Sequence, residues 1–136
     1  MILKHEFVEY IPEHVVDGAI YVSIRFATAL HKCCCGCGNE VVTPLSPTDW
    51  KVTFDGETIS LHPSIGNWNF PCQSHYWIKR NVITWAPQWS RDQIAAGRAD
   101  DQRAKKRYER ENNTESTTDE LVPRHRRFRR SIKRWF

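Results

Sequence analysis

A β-rich α+β fold, a small antiparallel sheet with a C-terminal helix and a basic tail, is predicted by three observations. Short apolar runs punctuated by turn residues fill residues 1–89, Ser90 opens a long polar segment with a helix cap, and four cysteines fall within the five positions Cys33 to Cys37, with a fifth at Cys72. Cysteines so arranged make the sheet zinc-stabilised. Adjacent residues rarely reach each other across a disulfide of normal geometry, so in a reducing compartment the cluster reads as metal-binding.

The 136 residues are enough for one modest core, and six tryptophans, six phenylalanines and four tyrosines let that core remove much apolar surface from water. The predicted organisation is a zinc-binding β-rich domain over residues 1–89, a polar helix over 90–111, and a linker with a basic amphipathic tail over 112–136. The formal net charge of +4 belongs to the tail, because Arg124 to Arg134 holds seven Arg and Lys and no acid, and the rest of the chain is slightly acidic. No run of about 18 apolar residues occurs, and Met1 to Glu6 lacks the long apolar stretch of a secretory signal. A cytoplasmic protein without a membrane partner is expected.

In chain order, Glu6 to Ile11 is the first candidate strand. Ala19 to Ile24, after the turn pair Asp17-Gly18, is rich in β-branched and aromatic residues and forms the second. Phe26 to Lys32 reads as a short helical turn. Glu40 to Leu45 is the next strand, closed by Pro44 and Pro47. Trp50 to Phe54 alternates cleanly before Asp55-Gly56, the strongest hairpin signal in the chain, and returns as Thr58 to His62. A further hairpin pairs Tyr76 to Ile78 with Val82 to Trp85 about Arg80-Asn81, and Pro87 ends the β region. Ser90, with Gln93 three residues on, has the form of a capping box, and the helix it opens is too polar for a wide apolar stripe. Asn112 to Glu120 reads as a linker, after which Phe128, Ile132 and Trp135 or Phe136 recur at helical spacing among arginines.

The metal signal is Cys33-Cys34-Cys35-Gly36-Cys37-Gly38 followed, beyond a hairpin, by Cys72-Gln73-Ser74-His75. Zinc takes four tetrahedral ligands, thiolates at about 2.3 Å or imidazole nitrogens at about 2.0 Å, and glycines beside cysteines let backbone amides turn toward the sulfurs. Two ligand sets for one zinc ion fit the spacing: Cys35, Cys37, Cys72 and His75, or Cys33, Cys35, Cys37 and Cys72 with His75 free. Cys34 is left out of both, because three consecutive side chains cannot converge on one ion. Buried free thiols are the alternative to a metal site.

The strings Leu61-His62-Pro63-Ser64-Ile65-Gly66-Asn67-Trp68 and Cys72-Gln73-Ser74-His75-Tyr76-Trp77-Ile78, with the earlier cysteine cluster, resemble the bacterial domain-of-unknown-function family six-five-two-seven over about residues 18–86. The resemblance implies a small cysteine-cluster protein working beside a ubiquitin-like protein and its activating and conjugating enzymes, in processing or removing that modifier. Cys34 stands where that family's pattern has proline.

A hydrolase of that kind needs a nucleophile, a base and donors to an oxyanion. Ser64 and His75 are the candidate pair, with Ser64 expected in a loop after a strand, and Asn67 is the candidate for oxyanion or substrate positioning. The same loop reads equally well as a tight turn whose Ser64 and Asn67 satisfy backbone groups. Trp68, Tyr76, Trp77 and Trp85 are expected in the core or covering the metal site, with Trp68 also placed to line a groove for a peptide tail. The competing function is a non-catalytic zinc-binding module that recruits a component of a ubiquitin-like pathway, or nucleic acid through the arginine-rich tail, where binding would weaken with salt.

Overall fold

The computed structural model describes residues 1–119, and side chains as far as Asn112; the linker's last residue and the basic amphipathic tail expected up to Phe136 lie outside the described residues. The chain divides into a unit of Met1–Ile94 and a unit beginning at Ala95. The first unit contains two four-stranded sheets. One is built from β1 (Lys4–Phe7), β2 (Ala19–Ser23), β3 (Thr28–Lys32) and β4 (Glu40–Pro44), in that order, with β1 parallel to β2 and the other pairs antiparallel. The other is an antiparallel meander of β5 (Lys51–Phe54), β6 (Ile59–Gly66), β7 (His75–Lys79) and β8 (Val82–Trp85).

Strand alternation sends one set of side chains from each sheet into a shared core. Ile20, Val22, Ala29 and Val41 come from the first sheet, and Ile59, Leu61, Ile65, Tyr76, Ile78 and Ile83 from the second. Each of the Val, Ile and Leu side chains, fully buried, contributes about 1.5–3 kcal/mol. A smaller cluster of Val15, Tyr21 and Leu30 covers the other face of the first sheet, which is why β2 is buried on both faces.

Local chemistry fixes the hairpins. The turn after β5 is held by the Asp55 carboxylate, which accepts the amides of Glu57 (2.9 Å) and Thr58 (2.7 Å) and the Thr58 hydroxyl (2.6 Å). Between β7 and β8, Arg80 and Asn81 both take positive φ (49° and 64°), the backbone of a two-residue primed turn. The Asn81 side chain then accepts the Ile59 amide at 2.7 Å, tying this turn to β6.

The structure departs from the sequence expectation at four places. The strand expected over Glu6 to Ile11 is β1, which ends at Phe7 and pairs in parallel. Phe26 to Lys32 is not a helical turn: Ala27, with φ 48°, closes a tight turn onto Ile24, and Thr28–Lys32 becomes a strand because β2 and β4 pair with its two edges. Ser64 lies inside β6 rather than in a loop, since the strand continues past His62 to Gly66. The helix, α1 (Arg91–Asp119), runs through most of the residues expected as linker. It opens as its capping box predicts: Gln93 N–H donates to Ser90 Oγ (3.2 Å) and Ser90 N–H to Gln93 Oε1 (2.8 Å). Among the described residues no helix is long and apolar enough to cross a membrane.

Candidate active site and metal centre

Two groups of side chains meet around the connection between β6 and β7. The first is the cysteine cluster. Cys33 follows β3 and begins a tight loop closed by its amide on Asn39 O at 2.8 Å, with Gly36 and Gly38 at φ 88° and 83°, a conformation that side chains with a Cβ resist. Cys72 comes from the β6–β7 connection. The sulfurs of Cys33, Cys35, Cys37 and Cys72 all lie within 4.8 Å of one another, with Cys33 to Cys35 at 3.4 Å, Cys33 to Cys72 at 3.8 Å and Cys37 to Cys72 at 3.9 Å. Thiolates at about 2.3 Å from one tetrahedral ion stand about 3.8 Å apart. The donor set therefore fits a metal ion.

The surroundings of the sulfurs fit it too. Backbone amides two residues on donate to each sulfur: Cys35 to Cys33, Cys37 to Cys35, Asn39 to Cys37 and Ser74 to Cys72. Ser74 Oγ lies 3.0 Å from Cys33 Sγ and 3.5 Å from Cys72 Sγ, and Asn39 Nδ2 donates to Cys37 Sγ at 3.3 Å. The Asn39 amide leads in lowering the Cys37 thiol to about 7. Cys72 is lowered as well, burial being outweighed by Ser74 and the neighbouring thiols. Burial leads in raising Cys33, and burial with the crowding of neighbouring thiols pushes Cys35 up to about 12. Such a crowd ionises fully only around a cation. Cys34 turns the other way, buried beside the Tyr76 hydroxyl, and burial raises its thiol to about 11.

The second group is Ser64 and His75, brought together across the β6–β7 ladder. Ser64 Oγ lies 2.8 Å from His75 Nε2, and His75 Nδ1 lies 2.7 Å from the carbonyl oxygen of Pro87. A carbonyl only accepts, so Nδ1 carries the proton and Nε2 is left bare to accept from the serine hydroxyl. Ser64 sits where the register of β6 against β7 is interrupted, between the Leu61↔Ile78 and Ile65↔Tyr76 pairs. Interruptions of this kind re-aim side chains.

Two indoles enclose the imidazole. Trp68 lies 5.0 Å and Trp89 5.3 Å from the His75 ring, and the two tryptophans stack on each other at 5.5 Å. Gly66 makes this approach feasible, since a Cβ there would stand 2.5 Å from the Trp68 indole nitrogen.

Of the two ligand sets left open by spacing, the structure gathers the four cysteines and not the one with His75, whose nitrogens face Ser64 and Pro87. Asn67 is not at the hydroxyl of Ser64. Its buried Nδ2 donates to Ser74 Oγ (2.8 Å) and approaches the Cys33 sulfur (3.8 Å) and Tyr76 hydroxyl (3.5 Å), so it braces the cysteine cluster. The reason is strand parity: positions 64 and 67 differ by an odd number and point to opposite faces. Tyr76, also on the inner face, meets His31 Nε2 at 2.6 Å, and burial holds that imidazole down to about 4.

Sequence reasoning missed Pro87, Trp89 and Ser74. A backbone carbonyl has no residue signature, and Trp89 reaches His75 only after the chain turns at the end of β8; Ser74, inside the Cys72 to His75 motif, was the one within reach of spacing.

No curated protein and no solved structure gives a match to this chain. A protein-family model does, that of BubE, described as a bacterial ubiquitination-like system serine protease, over residues 7–86. The match agrees with the ubiquitin-like association implied by the sequence resemblance, but under BubE and not family six-five-two-seven. With more than half of its length matched, this chain belongs to the BubE family of bacterial ubiquitination-like system serine proteases.

Proposed function

We propose that this chain is a zinc-stabilised serine protease that processes or deconjugates a bacterial ubiquitin-like protein, with Ser64 as nucleophile and His75 as general base. The observation that carries the reading is the relay from the Ser64 hydroxyl to His75 Nε2 (2.8 Å) and from Nδ1 to the Pro87 carbonyl (2.7 Å). In this reading Ser64 Oγ attacks the scissile carbonyl while its proton passes to Nε2. The C–N bond then breaks, and the same proton goes to the leaving amine. Water next gives a proton to Nε2, its oxygen attacks the acyl-serine, and the proton returns to Ser64 as the acid leaves. Pro87 supplies the orienting acceptor that a carboxylate supplies in Ser-His-Asp sites. The indoles of Trp68 and Trp89, at 5.0 Å and 5.3 Å from the imidazole ring, hold it in place by packing.

Zinc held by Cys33, Cys35, Cys37 and Cys72 would neutralise the thiolates and fasten the loop that leads into His75 to the end of β3. Zinc is favoured over harder cations because all the donors are sulfur. A four-thiolate shell acts as a structural staple, and proton transfer belongs to Ser64 and His75.

The test is cleavage of a reporter fused to the C-terminus of the pathway's ubiquitin-like protein. Ser64→Ala and His75→Ala are each expected to lower kcat/KM by at least about 10³-fold, with the protein still folded and zinc content near one per chain. Full activity in both variants would remove the pair, and elemental analysis finding folded, active protein without metal would remove the zinc.

A further inference from the structure

Among the described residues, the part of β6 that carries Ser64 has no paired strand on the side where β5 lies. β5 pairs with β6 only from Phe54↔Ile59 to Lys51↔His62. Upstream of Lys51 the chain leaves the sheet, with Trp50 bridging Leu45 and donating its amide to Pro44 O at 3.1 Å. β6 continues to Gly66, and among the described residues β7 is the strand paired with that extension.

Backbone directions in the extension follow from the ladder. His75 gives its carbonyl to the Ala86 amide at 2.9 Å, on the far side from β6, while the Asn67 amide donates to Ser74 O at 2.8 Å. Gly66, opposite His75, is thus the non-bonded member of an antiparallel pair, with its own N–H and C=O aimed away from β7. Alternation aims those of Ser64 the same way. The open edge and the candidate nucleophile therefore belong to one stretch of backbone.

We infer that the C-terminal tail of the ubiquitin-like substrate binds as an added strand on this edge, in line with β5, its main chain bonded to Ser64 and Gly66. The inference rests on the protease reading and supplies the substrate's conformation. From the register interruption to Gly66 the open edge is only a few residues long, at about 3.3 Å per residue. That length takes a few residues of an unfolded tail and excludes a folded body. Main-chain bonds supply affinity in this mode, and side-chain selection falls to alternate positions, of which the one nearest His75 meets the Trp68 and Trp89 stack.

Strand addition leaves a signature that side-chain recognition does not, a period of two in the ligand's amides. The probe is a short peptide spanning the cleavage site of the modifier fusion, made as a series with one amide N-methylated at a time, so that the full-length enzyme stays unaltered. Alternate members are expected to lose about tenfold or more in kcat/KM, with the members between them within about twofold of the parent. Equal losses at successive positions, or none, with the parent still cleaved, would overturn strand addition and leave the protease reading standing. The same series is titrated against zinc-loaded Ser64→Ala protein, following the Gly66 amide resonance. Alternating affinity in a peptide that wild type never cuts would uphold strand addition and remove the protease reading; a parent peptide neither cut nor bound would overturn strand addition, with cleavage of the intact fusion reporting separately on the protease.

Discussion

The second sheet contains two connections that leave β6 at its opposite ends, and they are held in different ways. The turn from β5 to β6 carries its own fastening, since Asp55 accepts two amides and a hydroxyl from residues within three positions of it. The connection from β6 to β7, Asn67 to Ser74, has short backbone bonds of its own from Phe70 to Asn67 (3.1 Å) and from Gln73 to Phe70 (3.0 Å). Its side chains, however, are held from a distance: Asn67, Cys72 and Ser74 all face the sulfur of Cys33, more than thirty residues earlier. A connection fixed by nearby residues survives the loss of distant ones, whereas one fixed by distant residues does not. His75 follows the second kind directly, at the residue after Ser74, so the proposed active site should depend on the cluster.

The largest effect should come from breaking the cluster. Metal chelation, or Cys72→Ser, is expected to abolish cleavage of the modifier fusion and to speed amide exchange at Asn67, Phe70 and Gln73 by orders of magnitude. Asp55 and Thr58 should keep their protection in the same sample. Simultaneous collapse of both connections would show that the metal supports the whole sheet and that the comparison is wrong.

A smaller, sharper cut is Asn67→Ala. It removes the donor to Ser74 Oγ and leaves a buried hydroxyl with one partner fewer, at a cost of about 1–3 kcal/mol in unfolding free energy by denaturant titration. Metal should still bind, as the sulfurs remain. If Asn67 instead served an oxyanion, kcat would fall about 10²-fold or more with stability unchanged.

These same residues show what the sequence discloses. The cysteine cluster was legible because metal ligation needs particular side chains, and both hairpin turns were legible because Asp55-Gly56 and Asn81 carry their own backbone preferences. β3 was not, since Thr28–Lys32 becomes a strand only through partners on both edges. Ser64 was found as a residue and misplaced as structure. Pro63 reads as the end of a strand, yet it falls where the β6–β7 pairing is interrupted and no ladder bond is asked of it. A loop around Ser64 would carry no parity, and parity is what separates Asn67 from Ser64 and groups Trp68 with it.

The smallest effect belongs to the locally fastened turn and checks it by pH. The hydroxyl of Thr58, with the amides of Thr58 and Glu57, lowers the Asp55 carboxyl from 3.8 to about 2. A carboxyl lowered on folding stabilises the native state when both states are ionised, so its contribution is complete above about 3.8 and disappears as pH falls through about 2. Asp55 is fully exposed, and solvent screening keeps the contribution small. Asp55→Asn should therefore lower Tm slightly at neutral pH, and the gap from wild type should close as pH falls from about 4 toward 2. Cleavage of the modifier fusion at neutral pH should be unaffected, because the turn lies at the other end of β6 from Ser64. A pH-independent gap would mean that Asp55 acts through its shape and not its charge, and a loss of cleavage would mean that the two ends of β6 are coupled.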